Sequence, residues 1–537
     1  MQPDPAIDVV GGSSGSSTAI PHAAKAGATS GGTYRVVAFA ALGGVLFGLD
    51  QGNWGGAIVR PGFVDAFCRG SFEECHDATD LPLEYARFLS LGSSLLQLGA
   101  AVGALGFAPP CAASFGRRET MFLGSLLTVA GALGQAVTED TSWFLTARVV
   151  AGLGVGFVTY ALPMFVSEVA PAEVRGSLGC SMQLMLVFGS LLASVLNCQP
   201  WFSYKLSFAL PAVPAAVVAT GIFCFPVSPR FALMRGRRLG LPGGGVEAAW
   251  RSLRRLRGSD AAADAELQEL REAVEAEEVE VSWLALWRDA SIRRRLLVAN
   301  MLQWLQQFTG INAILSYGPA IFQSAGLPIS GLECAVVTNS FNLAATIAMM
   351  LVIDVWGRRA LLLLGAAAML VFMGGAASIA FFVEDTPEGG AGAVTQLLGW
   401  ALLGCVCLYM ASFAIAWGGV PWVYPSEIFP MAVKEKALST SVFSQWVANC
   451  VIAYVVPQQV QAMKVTGTFF FYTFCLVGCF VLVYRLVPET KGLEMEAMGP
   501  LFDGTVPVAS NSPTRPLLAG SGAGSGSRGS RARPRAE

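Results

Sequence analysis

Two kinds of polar side chain stand inside otherwise apolar stretches of this 537-residue chain, and each implies its own chemistry. The first is a set of amides: Gln183, Gln306, Gln307, Asn312, Asn342 and Gln445. An amide donates and accepts hydrogen bonds without carrying charge. A group of them suits either a neutral, hydroxyl-rich ligand or the bonding of one buried helix to the next. Asn197 and Asn449 are assigned to that second use. Gln306 and Gln307 are adjacent, so on a helix they point about 100° apart, with Asn312 further along. Trp422, in a stretch expected to be broken between Pro421 and Pro425, and Phe47 offer aromatic walls for such a ligand. The second kind is charge. Asp50 closes the apolar run Ala38–Leu49, and Arg148 lies within another. A carboxylate at the centre of a membrane helix costs about 2.5–3.5 kcal/mol, so Asp50 is functional by default and Arg148 is its natural partner. The two histidines, His22 and His76, lie in polar segments, which leaves no zinc site or histidine triad in an apolar core. No nucleophile–base pair or phosphate loop is present, so no enzyme and no cofactor is expected.

The elements that position these residues follow from composition. Hydrophobic residues make up 54% of the chain and charged ones 13%, with mean hydropathy +0.55 and net charge −2. That charge is too little to coat a soluble protein of this size, and no basic excess exists to hold nucleic acid. Apolar spans fall at about 34–56, 86–108, 119–137, 143–166, 178–197 and 206–226, then at about 294–319, 332–353, 360–383, 395–424, 437–461 and 465–487. The expectation is an all-α membrane protein with twelve transmembrane helices: a half at 34–226, a linker at 227–291 and a half at 292–487. The tails 1–33 and 488–537 are expected to be disordered. The linker carries apolar residues at helical spacing and reads either as short amphipathic helices or as a solvated charged segment. Loop 60–85 is mostly acidic, whereas Arg117-Arg118, Arg358-Arg359 and the linker arginines fall on the other side, which places both termini in the cytoplasm. The remaining polar-loop cysteines, Cys68 and Cys75, either pair or stay free.

Three landmarks recur in the same order. Gly116-Arg117-Arg118 follows span 2 and Gly357-Arg358-Arg359 follows span 8. Glu168 with Arg175 follows span 4, and Glu427 with Lys434 follows span 10. Pro226-Val227-Ser228-Pro229-Arg230 follows span 6, and Pro488-Glu489-Thr490 follows span 12. The two halves are therefore pseudo-symmetric, an arrangement with a substrate site between repeats. At the cytoplasmic helix ends these carboxylates and guanidiniums are read as a gate latching the halves together; simple positive-inside anchoring is the alternative. Val227 and Ala113 stand where the second half has Glu489 and Asp354, and Lys434 lacks bidentate geometry, so a weak inner gate is expected.

With Gln306-Gln307-Phe308-Thr309-Gly310-Ile311-Asn312-Ala313, Pro425-Ser426-Glu427-Ile428-Phe429-Pro430 and Pro488-Glu489-Thr490-Lys491-Gly492, the chain resembles the sugar porters of the major facilitator superfamily over about residues 34–497. Phe47-Gly48-Leu49-Asp50 is closest to the proton-coupled hexose carriers of plants, algae and fungi. The resemblance implies that the six amides contact a sugar, that Trp422 and Phe47 line its face, and that Asp50 and Arg148 form a proton-sensitive pair. It implies hexose transport by proton symport; a facilitative hexose, polyol or pentose uniporter and a sugar sensor are the alternatives. The expected partners are a monosaccharide, protons and membrane lipid, with the chain acting as a monomer in the plasma membrane or, as alternatives, a vacuolar or plastid membrane. Plant relatives tie the outer loop to span 11 by a disulfide; the segment 454–464 has no cysteine, so here Cys68 and Cys75 pair with each other or not at all.

Overall fold

The computed structural model describes residues 31–68, 75, 82–170, 178–240, 243, 245–276, 282–323, 329–384, 393–491 and 499–502. In hydrocarbon every backbone polar group must be paired within its own segment, so the long apolar runs fold as helices. The first half holds α1 (Gly31–Ala57), α2 (Leu83–Ser114), α3 (Arg117–Val137), α4 (Thr141–Val169), α5 (Ser181–Asn197) and α6 (Tyr204–Cys224). The second holds α7, in two pieces (Ala290–Phe308 and Ile311–Gln323), α8 (Gly331–Trp356), α9 (Arg358–Glu384), α10, also in two pieces (Ala393–Ala416 and Val420–Ile428), α11 (431–463) and α12 (465–486). Lys464, at φ 57°, is the one non-helical residue separating α11 from α12.

Nine stretches among the described residues meet a length and apolarity criterion for crossing a membrane. The other three spans miss it for plain reasons. α5 has only 17 residues, α7 is interrupted and carries Arg293, Arg294 and Arg295 near its start, and α11 and α12 count as one.

Glycines allow the close approaches that define the first half. A Cβ on Gly48 of α1 would lie 1.9 Å from the Leu186 carbonyl of α5, and one on Gly152 of α4 would lie 2.0 Å from that of Leu96 in α2. These helices meet backbone to backbone, as small residues permit in membranes. The linker is helical. Helices Pro229–Arg238, Val246–Arg257 and Asp260–Ala276 bury Leu233, Leu253 and Leu267 in a small core of their own. Arg257 bolts it to the first half, donating to the Thr33 hydroxyl (3.0 Å) and the Val169 carbonyl (3.1 Å) while pairing with Glu266.

Helical or packed residues extend into both expected tails. Gly31–Thr33 already belong to α1, and Phe502 packs on Arg295, so ordered structure reaches past residue 488. The rest of both tails lies outside the described residues. The polar loop 60–85 also hides structure. Pro61–Phe67 is a helix whose Phe63 and Phe67 enter an aromatic cluster with Phe88, Phe144, Tyr204 and Phe208. Its distance from the main apolar runs, with only seven residues, concealed it. Cys68 and Cys75 are joined by a disulfide just beyond this helix.

Candidate functional site

The site is built around two broken helices, and proline explains how they are held. Proline removes the N–H that would bond the carbonyl four residues earlier. Pro421 thus frees the Trp417 carbonyl, and Pro425 frees that of Pro421. Both are taken by α7: Gln306 Nε2 donates to Trp417 O (2.6 Å) and Gln303 Nε2 to Pro421 O (2.7 Å). Gln303 and Gln306 are three apart, hence on one helix face. α10 returns the favour at the α7 break, where Gly310 adopts φ +89° and Tyr409 Oη donates to the Thr309 carbonyl (2.7 Å). Sequence reasoning located the α10 break between the two prolines. The structure instead unwinds residues 417–419, and Pro421 sits in the first turn of the second piece, where its missing N–H is harmless to that piece.

Between the halves lies a cleft with about 470 Å³ of empty space, open solvent included. It is lined by all of the expected ligands: Gln183, Gln306, Gln307, Asn312, Asn342, Gln445, Trp422 and Phe47. Asn312 Nδ2 bonds Gln307 Oε1. Gln306 Oε1, Asn342 Oδ1 and Gln445 Oε1 are buried acceptors with no hydrogen-bond partner among the described residues. Unpaired buried acceptors are costly, and several facing one cavity mark where a donor-rich ligand belongs. Trp422 and Gln183 also line a second cavity of about 550 Å³ towards the arginine-rich end. A third, of about 320 Å³ on the opposite side, shares Gln51, Ser190 and Leu315 with the central one. The three lie in series along the seam between the halves. Phe47 also meets Trp446 edge-on, ring centres 4.8 Å apart.

Two residues differ from the sequence reading. Asn449, assigned to helix bonding, lines the central cavity, whereas Asn197 does bond helices, joining Asn53 and Ser207. Gln51 was missed: beside Asp50 it carried no signal of its own, yet its Nε2 donates to Asn312 Oδ1 at 2.5 Å.

Next to the cavity, Arg148 Nη1 pairs with Asp50 Oδ1 at 3.0 Å, and both residues are buried. The guanidinium also donates to the Gly92 carbonyl (2.7 Å) and to Gln135 Oε1 (3.3 Å), and it lies 4.6 Å from the Trp54 ring centre. Trp54 touches Phe63, so the aromatic cluster covers the pair from the side of the Pro61–Phe67 helix.

At the arginine-rich end the repeat is visible atom by atom. Arg117 bonds Glu168 and the Ala112 carbonyl; Arg358 bonds Glu427 and the Ile353 carbonyl. Arg118 reaches the Phe225 carbonyl at the end of α6, and Arg359 that of Tyr484 at the end of α12. Gly116 and Gly357 hold φ +118° and +89° at the two equivalent turns. Glu168 and Glu427 thus each meet an arginine of their own half. A carboxylate that does cross between the halves is Glu435 of α11, which meets Arg117. It was missed because it lies outside the repeated landmarks. Lys434 and Arg230 are buried nearby, Arg175 lies outside the described residues, and Asp354 is placed only as a backbone position at the end of α8. Replacing Glu435 by Ala is expected to loosen this end and speed maleimide labelling of Cys180, buried in the adjoining cavity, by about tenfold or more, corresponding to about 1.4 kcal/mol or more. Peptide mass spectrometry of the labelled protein measures it.

Glu489 has a further task. Its carboxylate accepts the backbone N–H groups of Arg358 (2.9 Å) and Arg359 (3.1 Å), capping α9. Val227 leaves the N-terminus of α3 without that cap. Val227→Glu is expected to stabilise the protein by about 0.5–1 kcal/mol, read as a raised Tm in detergent.

Twelve helices in two pseudo-symmetric halves, with cavities in series and two broken helices at the seam, define an alternating-access membrane carrier. Residues 36–502 match the family described as "Sugar (and other) transporter". "Sugar transport protein 1" of Arabidopsis thaliana is 32% identical over 475 residues, covering 86% of this chain and 88% of that protein. "Probable glucose transporter rco-3" of Neurospora crassa is 30% identical over 486 residues, covering 87% and 78%. Among solved structures, the proton:xylose symporter XylE bound to 6-bromo-6-deoxy-D-glucose superposes with TM-score 0.70 at 26% identity, covering 88% of this chain and 99% of that one. An inward-open XylE from E. coli gives TM-score 0.65 at 25% identity, covering 87% and 99%. The chain belongs to the sugar transporter family of the major facilitator superfamily and is an integral membrane protein.

Proposed function

We propose that this protein carries a hexose by alternating access, driven by proton symport, with both termini in the cytoplasm and the plasma membrane as its location. The observation that carries the sugar reading is the cavity of neutral amides with three unpaired acceptor oxygens beside Trp422. Sugar hydroxyls satisfy such acceptors, and the indole face stacks on the ring C–H groups. Gln183, Gln306, Gln307, Asn312, Asn342 and Gln445 bind the hydroxyls; Phe47 closes the wall. The carrier works as a monomer in lipid, each chain having its own seam.

The symport reading rests on Asp50 paired with Arg148. Ionised, Asp50 holds α1 to α4; protonated, it releases the guanidinium and lets α1 move. The arginine-rich end is then the cytoplasmic gate, with Arg117, Arg118, Glu168, Arg175, Arg230, Asp354, Arg358, Arg359, Glu427, Lys434 and Glu489 setting helix ends and Glu435 joining the halves.

The test is uptake of radiolabelled glucose against competing sugars at two external pH values, with and without a protonophore, in cells lacking hexose transport. Uptake that rises in acid and collapses with the protonophore supports symport. Uptake indifferent to both leaves facilitated transport as the correct reading, and competition by pentoses or polyols but not hexoses reassigns the substrate.

A further inference from the structure

Asp50 and Gln51 are consecutive on α1, so their side chains diverge by about 100°. One faces Arg148 in α4, and the other reaches across the seam to Asn312 in α7. Asn312 in turn bonds Gln307. A continuous line of polar contacts thus runs from Arg148 through Asp50, the α1 backbone and Gln51 to two amides of the sugar cavity. The α1 segment in this line has little lateral slack. A Cβ on Gly48 would overlap the Leu186 carbonyl, and one on Gly52 would lie 2.8 Å from Ala193 Cβ and 2.9 Å from the Ser190 carbonyl. These contacts hold the α1 backbone close against α5 on both sides of Asp50 and Gln51.

We propose that Gln51 is the positioning residue through which the Asp50–Arg148 pair sets the sugar affinity of the α7 amides. When Asp50 and Arg148 are paired, Gln51 is fixed with α1 and holds Asn312 through its Oδ1. When protonation releases Asp50, Gln51 turns with α1 and frees that acceptor for a sugar hydroxyl. Protonation outside then raises affinity by exposing one acceptor of the site. The ionisable groups acting on the pair are the pair itself and the Tyr317 phenol of α7, which acts on Arg148. Tyr317 donates to Ser93 Oγ at 3.4 Å, beside the Gly92 carbonyl that receives Arg148, so α7 also touches the pair's surroundings from α2.

This inference rests on the proposed proton-coupled sugar transport, and the experiment separates the two. The KM for D-glucose uptake is measured at external pH of about 5.5 and about 7.5 in the wild type, in Gln51→Leu and Gln51→Met, in Asn312→Ala and in the double variant Gln51→Leu/Asn312→Ala. The wild-type KM is expected to fall several-fold in acid. In both Gln51 variants the two KM values are expected to agree within about twofold, near the wild type's acid value, and the double variant is expected to match Asn312→Ala alone, so that the single effects do not add. A merely structural Gln51 would lower expression or maximal rate alike at both pH values and leave the KM ratio intact. Gln51 variants that keep the wild-type KM ratio, or a double variant that is additive, overturn the role of Gln51 while leaving symport standing. A wild-type KM and rate indifferent to pH overturn symport and this inference together.

Discussion

Asp50→Asn is expected to abolish accumulation of sugar above its external concentration while counterflow of labelled sugar remains measurable. One proton moving through a gradient equivalent to 100 mV supplies about 2.3 kcal/mol, enough for roughly fifty-fold accumulation. Asparagine binds no proton in this range, so that drive vanishes and the ratio falls to about one. The substitution leaves Arg148 buried, and losing one partner of a buried ion pair costs about 3–5 kcal/mol when nothing else meets the charge. Here the Gly92 carbonyl, Gln135 and the Trp54 ring remain in place, and the new amide oxygen is itself an acceptor. The folded carrier is therefore expected to survive, with a smaller loss of stability. Proteoliposomes with an imposed pH gradient measure the ratio; accumulation by the Asn variant would remove Asp50 from the coupling step.

Gln306→Leu is expected to weaken sugar binding by about 10–100-fold and to destabilise the protein by about 1–3 kcal/mol, because one side chain does two jobs. Its Nε2 satisfies the Trp417 carbonyl that Pro421 leaves unpaired, and its Oε1 faces the cavity unpartnered. Leucine removes both. Gln306→Glu keeps an acceptor but places a carboxylate against the Trp417 carbonyl, so it is expected to destabilise at least as strongly. KM for glucose and Tm with and without sugar separate the two jobs. A Leu variant with KM within twofold of the wild type would remove Gln306 from the sugar contacts.

Much of this was legible in the amino-acid order because membranes simplify the problem. Long apolar runs located the helices, and the paired Gly-Arg-Arg turns exposed the two halves. The amides stood out because a polar group in an apolar run needs a reason. What escaped depended on registry across the seam. Gln51 lies among residues of the same helix as Asp50, and only the approach of α7 gives it a partner. Glu435 sits in a mixed stretch of Lys and Glu, where no local pattern distinguishes the carboxylate that crosses. Glu168 and Glu427 carried the stronger motifs, and each has a guanidinium of its own half in reach, which the motif alone did not show. The unwound residues of α10 were misplaced by a few positions because proline marks where a donor is missing, and the carbonyl it orphans lies one turn earlier.

The Cys68–Cys75 bond closes within seven residues of one half, and the other ten cysteines form no disulfide. No covalent strap therefore spans the seam. The opening and closing of this carrier is a contest of hydrogen bonds, ion pairs and apolar contacts alone. A reductant that opens this bond therefore cuts a link inside one half and none between the two.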